Sequence, residues 1–211
     1  MLDKLRNFHF IGIGGAGMSA IAHVLIKRGY NVSGSDLNAG RVSARLANEG
    51  AMVFIGHDAC QVKDADAEAV VVSTAIKADN PEVVAAKEQN IPVLHRSDVL
   101  AAIFNKGDGV AVAGAHGKTT TSAMISCIAA QSDVDPTVII GGEVSILGGN
   151  ARNGQGRFII AEADESDGSF LKLNSYIAVV TNIEDDHLDY YGTEENIYKA
   201  FKQFLGNLVE G

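Results

Sequence analysis

Apolar residues in this chain gather in short blocks, and between the blocks run stretches whose apolar positions recur at helical spacing. Residues 8–12, 31–35, 52–55, 69–73 and 92–94 are too short for helices and read as strands. Residues 18–28, 41–49 and 82–89 read as the helices between them, and 98–104 as the helix after the last strand. Alternation of this kind predicts a parallel sheet, because a crossover helix returns the chain to the same edge each time. The polar, glycine-rich run Asn105-Lys-Gly-Asp-Gly109 then breaks the rhythm and marks a boundary between units 1–106 and 107–211. A second series follows, with strands at 110–113, 137–140, 157–161 and 176–181 and helices at 119–131 and 194–207. In the closing helix Ile197, Phe201, Phe204, Leu205 and Leu208 define the expected buried face.

The strand at 110–113 runs straight into Gly114-Ala115-His116-Gly117-Lys118-Thr119-Thr120, and a helix-forming run comes next. Such a loop turns backbone N–H groups and a helix N-terminus toward one spot, beside a lysine and a hydroxyl able to ligate Mg2+. That chemistry suits a nucleotide triphosphate. The generic phosphate-loop pattern would require glycine where Val112 stands, so the match is incomplete, and a glycine turn before a basic helix start would leave the same residues. The next two strands add weight. One ends in Glu162-Ala-Asp-Glu-Ser-Asp167, the other in Asn182-Ile-Glu-Asp-Asp-His187. Ligands of open α/β sheets lie at the carboxyl ends of strands, so Lys118, Thr119, Glu162 and His187 are expected on one rim. Singly, acidic residues at strand ends are ordinary solvated turns. Together they fit a metal and nucleotide site with oxygen-rich ligands.

At the other end, the strand at 8–12 leads into Gly12-Ile-Gly14-Gly15-Ala16-Gly17, followed by an amphipathic helix, and the second strand ends in Asp36, 19 residues after Gly17. This is the pattern of a Rossmann-like unit, whose loop holds a diphosphate while the acid takes a ribose hydroxyl. Glycines serving only tight helix–strand packing would look the same. Ser73 and Thr74 end the fourth strand, where such a unit binds its ligand or merely caps the strand. The loop 141–156 holds six glycines in sixteen residues, so it is either mobile or approached closely by a ligand. His9, His23, His57 and His95 belong to no motif and read as structural or surface residues.

A formal charge of −9 argues against a nucleic-acid partner, which would favour a basic face. Cys60 and Cys127 lie in unrelated segments and read as free thiols of a reducing compartment. No apolar run approaches the ~20 residues of a membrane span. The strand begins almost at once, without a signal peptide, so a cytoplasmic protein is expected. No Ser-His-Asp or Cys-His arrangement points to a covalent enzyme intermediate.

The segments 114–121, 162–167 and 181–187, in that order, resemble the Mur ligase family, and the likeness runs from Phe8 to Gly206. The resemblance implies an α/β fold in which a Rossmann-like UDP-sugar domain (1–106) precedes a P-loop-type ATP-binding central domain (107–211) that is incomplete here. It also implies that a C-terminal amino-acid-binding domain is absent. Within the family, Glu162-Ala-Asp-Glu-Ser-Asp-Gly-Ser-Phe-Leu171 favours the member that joins L-alanine to UDP-N-acetylmuramate over the one that recycles muropeptides. The implied cofactors are ATP and Mg2+. Lys118 would neutralise the β- and γ-phosphates, Thr119 would ligate the bridging Mg2+, and Glu162 and His187 would hold a second one. Gly114 to Thr120 would cradle ATP, and Gly14, Gly15, Ala16, Gly17, Asp36, Ser73 and Thr74 the UDP-sugar. Two other readings stay open at this point. A nicotinamide-dependent dehydrogenase would use Gly12–Gly17 and Asp36 but leave the second rim unexplained. A non-catalytic nucleotide-binding module would accommodate the truncation.

Overall fold

A computed structural model describes residues 2–209. The chain divides into two compact units between Val99 and Leu100.

The first unit is a five-stranded parallel sheet of order β3-β2-β1-β4-β5. Its strands are β1 (Asn7–Ile11), β2 (Asn31–Asp36), β3 (Met52–Ile55), β4 (Ala69–Val72) and β5 (Val93–His95). The intervening helices are α1 (Ala16–Lys27), α2 (Arg41–Asn48), α3 (Cys60–Asp64) and α4 (Pro81–Glu88), and α5 (Arg96–Phe104) follows. The strand order reverses between β1 and β4, and that switch point places the crevice of a Rossmann-like sheet. Phe8, Phe10 and Ile11 of β1 and Val70 and Val71 of β4 are buried, as expected for strands covered on both faces. The short helix α3 gave no apolar repeat long enough to announce itself in the sequence; only Gln61 and Val62 of it are buried.

The second unit has the order β10-β6-β9-β7-β8. Its elements are β6 (Asp108–Ala113), α6 (Lys118–Ala130), β7 (Thr137–Val144), β8 (Gly149–Arg152), β9 (Phe158–Glu162), β10 (Ile177–Val180), α7 (Leu188–Tyr191) and α8 (Glu194–Gly206). Pairing is parallel except for β7 with β8, which form an antiparallel hairpin at one edge. Half of the glycine-rich stretch that read as a loop is therefore strand, and its glycines allow the irregular register between Ile139 and Val144. The buried face of α8 is Ile197, Ala200, Phe201 and Phe204, and Phe170 stacks on Phe204 with ring centroids 5.0 Å apart. Leu205 and Leu208, expected on that face, are 43% and 45% exposed. Leu205 is turned about 100° from Phe204 around the helix, and Leu208 lies beyond the last helical residue.

Candidate functional site

The second unit's site is assembled from loop ends of β6, β9 and β10. Gly114 has φ +131°, and a Cβ there would fall 2.2 Å from Thr181 Oγ1, so no other residue fits. Gly117, with φ +84°, turns the chain into α6 in the left-handed region. Asn182 holds the loop between them: its Oδ1 accepts from His116 N at 2.9 Å, and its Nδ2 donates to His116 O at 2.9 Å. Thr181 Oγ1 also donates to His116 O, at 2.6 Å.

Lys118 Nζ is anchored by Glu165 Oε1 at 2.6 Å and by Gly114 O at 2.6 Å. Glu165 is nearly buried, with a side chain 4% exposed, and His187 Nε2 stands 3.8 Å from the same Oε1. Its Oε2 is buried without a hydrogen-bond partner among the described residues, leaving an acceptor whose desolvation is uncompensated. The Tyr191 hydroxyl donates to Glu165 O at 2.5 Å. Burial, then the charges near it, push that phenol well above its ordinary range, so it remains a donor. One residue on, α6 presents Thr119, whose Oγ1 donates to Glu162 Oε2 at 3.3 Å. Ser122 Oγ and Gly141 N donate to Glu162 Oε1 at 3.2 and 2.9 Å. Gly141 thus lies close to the Glu162 side chain, and a Cβ on Gly142 would meet Thr119 Cγ2 at 2.5 Å.

Thr119 meets Glu162, while Lys118 and His187 both meet Glu165 rather than Glu162. Glu165 was not singled out from the sequence, although it sits three residues beyond Glu162 in the same acidic burst. A further group, His116, Glu184 and Asp186, brings ligand atoms within 4.8 Å of one another. All three are exposed. The carboxylate and hydroxyl oxygens of this rim are of the kind that hold Mg2+ together with phosphate oxygens.

In the first unit a cleft of about 510 Å³ opens over the glycine loop. Gly12, Gly14, Gly15, Asp36 and Ser73 line it, joined by Asn38, Arg41 and Ile76. Ala16, Gly17 and Thr74 are not on its wall; Ala16 and Gly17 open α1 instead. Asp36 Oδ2 accepts from Gly14 N at 2.9 Å, and a Cβ on Gly14 would come 2.8 Å from that oxygen. One carboxylate oxygen therefore holds the loop. Arg41, a cation on this wall, gave no sequence signal beyond its place at the start of a helix. Cys60 and Cys127 are free thiols, and no helix among the described residues is long and apolar enough to cross a membrane.

Comparison with known proteins agrees with this division. Residues 7–107 match the family model described as Mur ligase family, catalytic domain, and residues 112–211 match that described as Mur ligase middle domain. A UDP-N-acetylmuramate–L-alanine ligase of Syntrophotalea carbinolica is 52% identical over 208 residues, which are 99% of this chain and 45% of that protein. The enzyme of the same name from Desulforamulus reducens is 55% identical over 206 residues, 97% of this chain and 44% of its own length. The crystal structure of UDP-N-acetylmuramate-alanine ligase from Thermotoga maritima superposes with a TM-score of 0.89 at 32% identity, covering 96% of this chain and 47% of that one. The chain thus spans less than half the length of the curated relatives it matches. Two successive domain matches, one high-identity relative after another and a shared fold lead to one conclusion: the chain belongs to the Mur ligase family.

Proposed function

We propose that this chain is the UDP-sugar-binding domain (1–106) and part of the ATP-binding domain (107–211) of a ligase that joins L-alanine to the carboxylate of UDP-N-acetylmuramate. The observation that carries the reading is the meeting of Lys118 with Glu165 at 2.6 Å and of Thr119 with Glu162 at 3.3 Å, on strand ends of the second unit. The relatives' printed names supply the substrates.

In this reading the muramoyl carboxylate attacks the γ-phosphorus of ATP and expels ADP, forming an acyl phosphate. The amine of L-alanine then attacks the acyl carbon, and the tetrahedral adduct collapses to the amide and inorganic phosphate. Two anions must meet in the first step, and at ~4 Å their repulsion is of order 4 kcal/mol even at an effective dielectric near 20. Lys118 supplies a positive charge there, and the N–H groups opening α6 supply further donors. Thr119 would hold one Mg2+, and Glu162 and His187 a second; when bound they offset phosphate charge. No step needs a nucleophilic side chain, because phosphoryl transfer is governed by positioning and charge.

Ligation also needs closure over a reactive acyl phosphate and a place for the amino acid. Residues 1–211 by themselves are proposed to bind UDP-N-acetylmuramate, to bind ATP weakly and to form no amide bond. The experiment is a set of melting curves with UDP-N-acetylmuramate, Mg-ATP and NAD, beside a coupled ADP-release assay with alanine. A ligand selective for the native state raises the melting temperature as RT ln(1 + [L]/Kd). Stabilisation by the UDP-sugar and not by NAD is expected, without alanine-dependent ADP release. Stabilisation by NAD alone would overturn the assignment of the first unit.

A further inference from the structure

The first unit holds a buried polar cluster for which the proposed chemistry has no use. His9 on β1 and Glu82 in the first turn of α4 are both fully buried. Glu82 Oε2 lies 2.5 Å from His9 Nε2, and Oε1 lies 2.6 Å from His57 Nδ1 and 2.7 Å from Ser35 Oγ. His9 Nδ1 in turn meets Ser33 Oγ at 2.9 Å. One carboxylate thus fastens β1, β2, the turn after β3 and α4 to one another. Apolar side chains of the same volume would commonly hold such a core at least as well, since burying charge is costly even when every oxygen is bonded. The location gives the cluster a use.

Ser35 precedes Asp36, and its carbonyl accepts from Gly12 N at 2.8 Å and Ile13 N at 3.0 Å, which fixes the entry to the glycine loop. Asn80 Oδ1 accepts from Glu82 N at 2.9 Å and so seats the start of α4. The segment ending at Asn80 carries Ser73, Ala75 and Ile76, which form another part of the cleft wall. Both stretches of wall therefore converge on the same carboxylate, one through Ser35 and one through the first turn of α4.

We propose that Glu82 is a positioning residue for the bound UDP-sugar diphosphate: with His9 and His57 holding its two oxygens, it sets the glycine loop and Asp36 against the segment 73–76. The inference rests on reading the cleft as the UDP-sugar site. A diphosphate cradled by backbone N–H groups gains affinity from donors already in place, so a loop freed from its anchor binds more weakly while the sheet stays folded.

The test is calorimetric titration of the 211-residue chain with UDP-N-acetylmuramate, in wild type, Glu82→Gln, His57→Ala and His57→Asn, alongside hydrogen exchange at β1, β2 and β6. Asparagine offers an N–H near the position of the histidine Nδ1, and alanine does not. Expected are affinities about tenfold lower for Glu82→Gln and His57→Ala, of the order lost with one charge-assisted hydrogen bond. His57→Asn should return close to wild type, with strand exchange unchanged throughout. Should Glu82→Gln fail to fold, the partly exposed His57 decides, because its removal leaves the buried carboxylate with Ser35 and His9. Wild-type binding matched within twofold by both Glu82→Gln and His57→Ala, or by His57→Ala alone where the other is unfolded, overturns the role given to Glu82. Equal losses in His57→Ala and His57→Asn overturn it as well. Absence of binding by the wild type is a different failure, since it removes the UDP-sugar reading of the cleft and the inference with it.

Discussion

On the proposed reading both units hold a phosphate-bearing ligand at strand ends, and they differ in how their buried carboxylates are satisfied. In the first, the carboxylate of Glu82 is fully buried and each of its oxygens has a partner. The second leaves Glu165 Oε2 buried and without a hydrogen-bond partner among the described residues, and sets Glu184 and Asp186 in the open beside His116. A satisfied network fixes shape. An unsatisfied, carboxylate-rich rim leaves an acceptor open to a donor or a cation. On the proposed reading the first arrangement suits a ligand bound but not transformed, and the second a site where phosphate is transferred.

The sharpest way to break this contrast is Lys118→Ala. With the chain extended to the length of its relatives, turnover should fall at least about 100-fold, the loss expected when a positioned electrostatic group is removed. UDP-sugar affinity, measured by calorimetry, should not change. Near-normal turnover would return Lys118 to a helix-start lysine that merely pairs with Glu165. Glu162→Ala and His187→Ala are expected to cost comparably and to raise the Mg2+ concentration needed for half-maximal rate.

A smaller effect is expected of Glu165→Gln. The amide keeps the shape but weakens the 2.6 Å contact with Lys118, so Mg-ATP affinity should drop by roughly tenfold, equivalent to one hydrogen bond to a charged group. Magnesium dependence should steepen in the same variant. Should affinity and magnesium dependence both stay at wild-type values, Glu165 is a buried spacer and the contrast between the units loses its main support.

How far the sequence carried these readings differed by region. Where chemistry is written in consecutive residues, as in Gly114 to Thr120, the strand, the loop and the helix after it were legible, because a loop between a strand and a helix opens at the carboxyl end of that strand. Glu165 escaped because its partners are 47 residues away at Lys118 and 22 away at His187, and nothing local distinguishes it from the acids beside it. His9, His57 and Glu82 were opaque for the same reason. His9 sits in an apolar strand and Glu82 in a helix first turn, where an acid is ordinary, and only the parallel stacking of β1, β2 and β3 brings them within reach. The β7–β8 hairpin was hidden by its glycines, which weaken any strand pattern even where the backbone pairs.

The smallest expected effect compares one helix cap from each unit. Asn80 Oδ1 accepts from Glu82 N and Val83 N at 2.9 and 3.4 Å, and Thr193 Oγ1 accepts from Asn196 N at 3.3 Å. Alanine at either cap should cost about 1 kcal/mol of stability, read from urea unfolding. The consequences should then diverge. Asn80→Ala loosens the turn that seats Glu82, so UDP-sugar affinity should fall by a few-fold along with the stability. Thr193→Ala starts α8, whose buried face packs Phe201 and Phe204 on Phe170, and it touches neither cleft nor rim. Its ligand affinities should match wild type once binding is measured well below the unfolding transition. Equal losses of UDP-sugar affinity in the two cap variants would mean that general softening, and not the placement of α4, governs the cleft, and the difference drawn between a satisfied and an unsatisfied site would no longer explain how each unit binds.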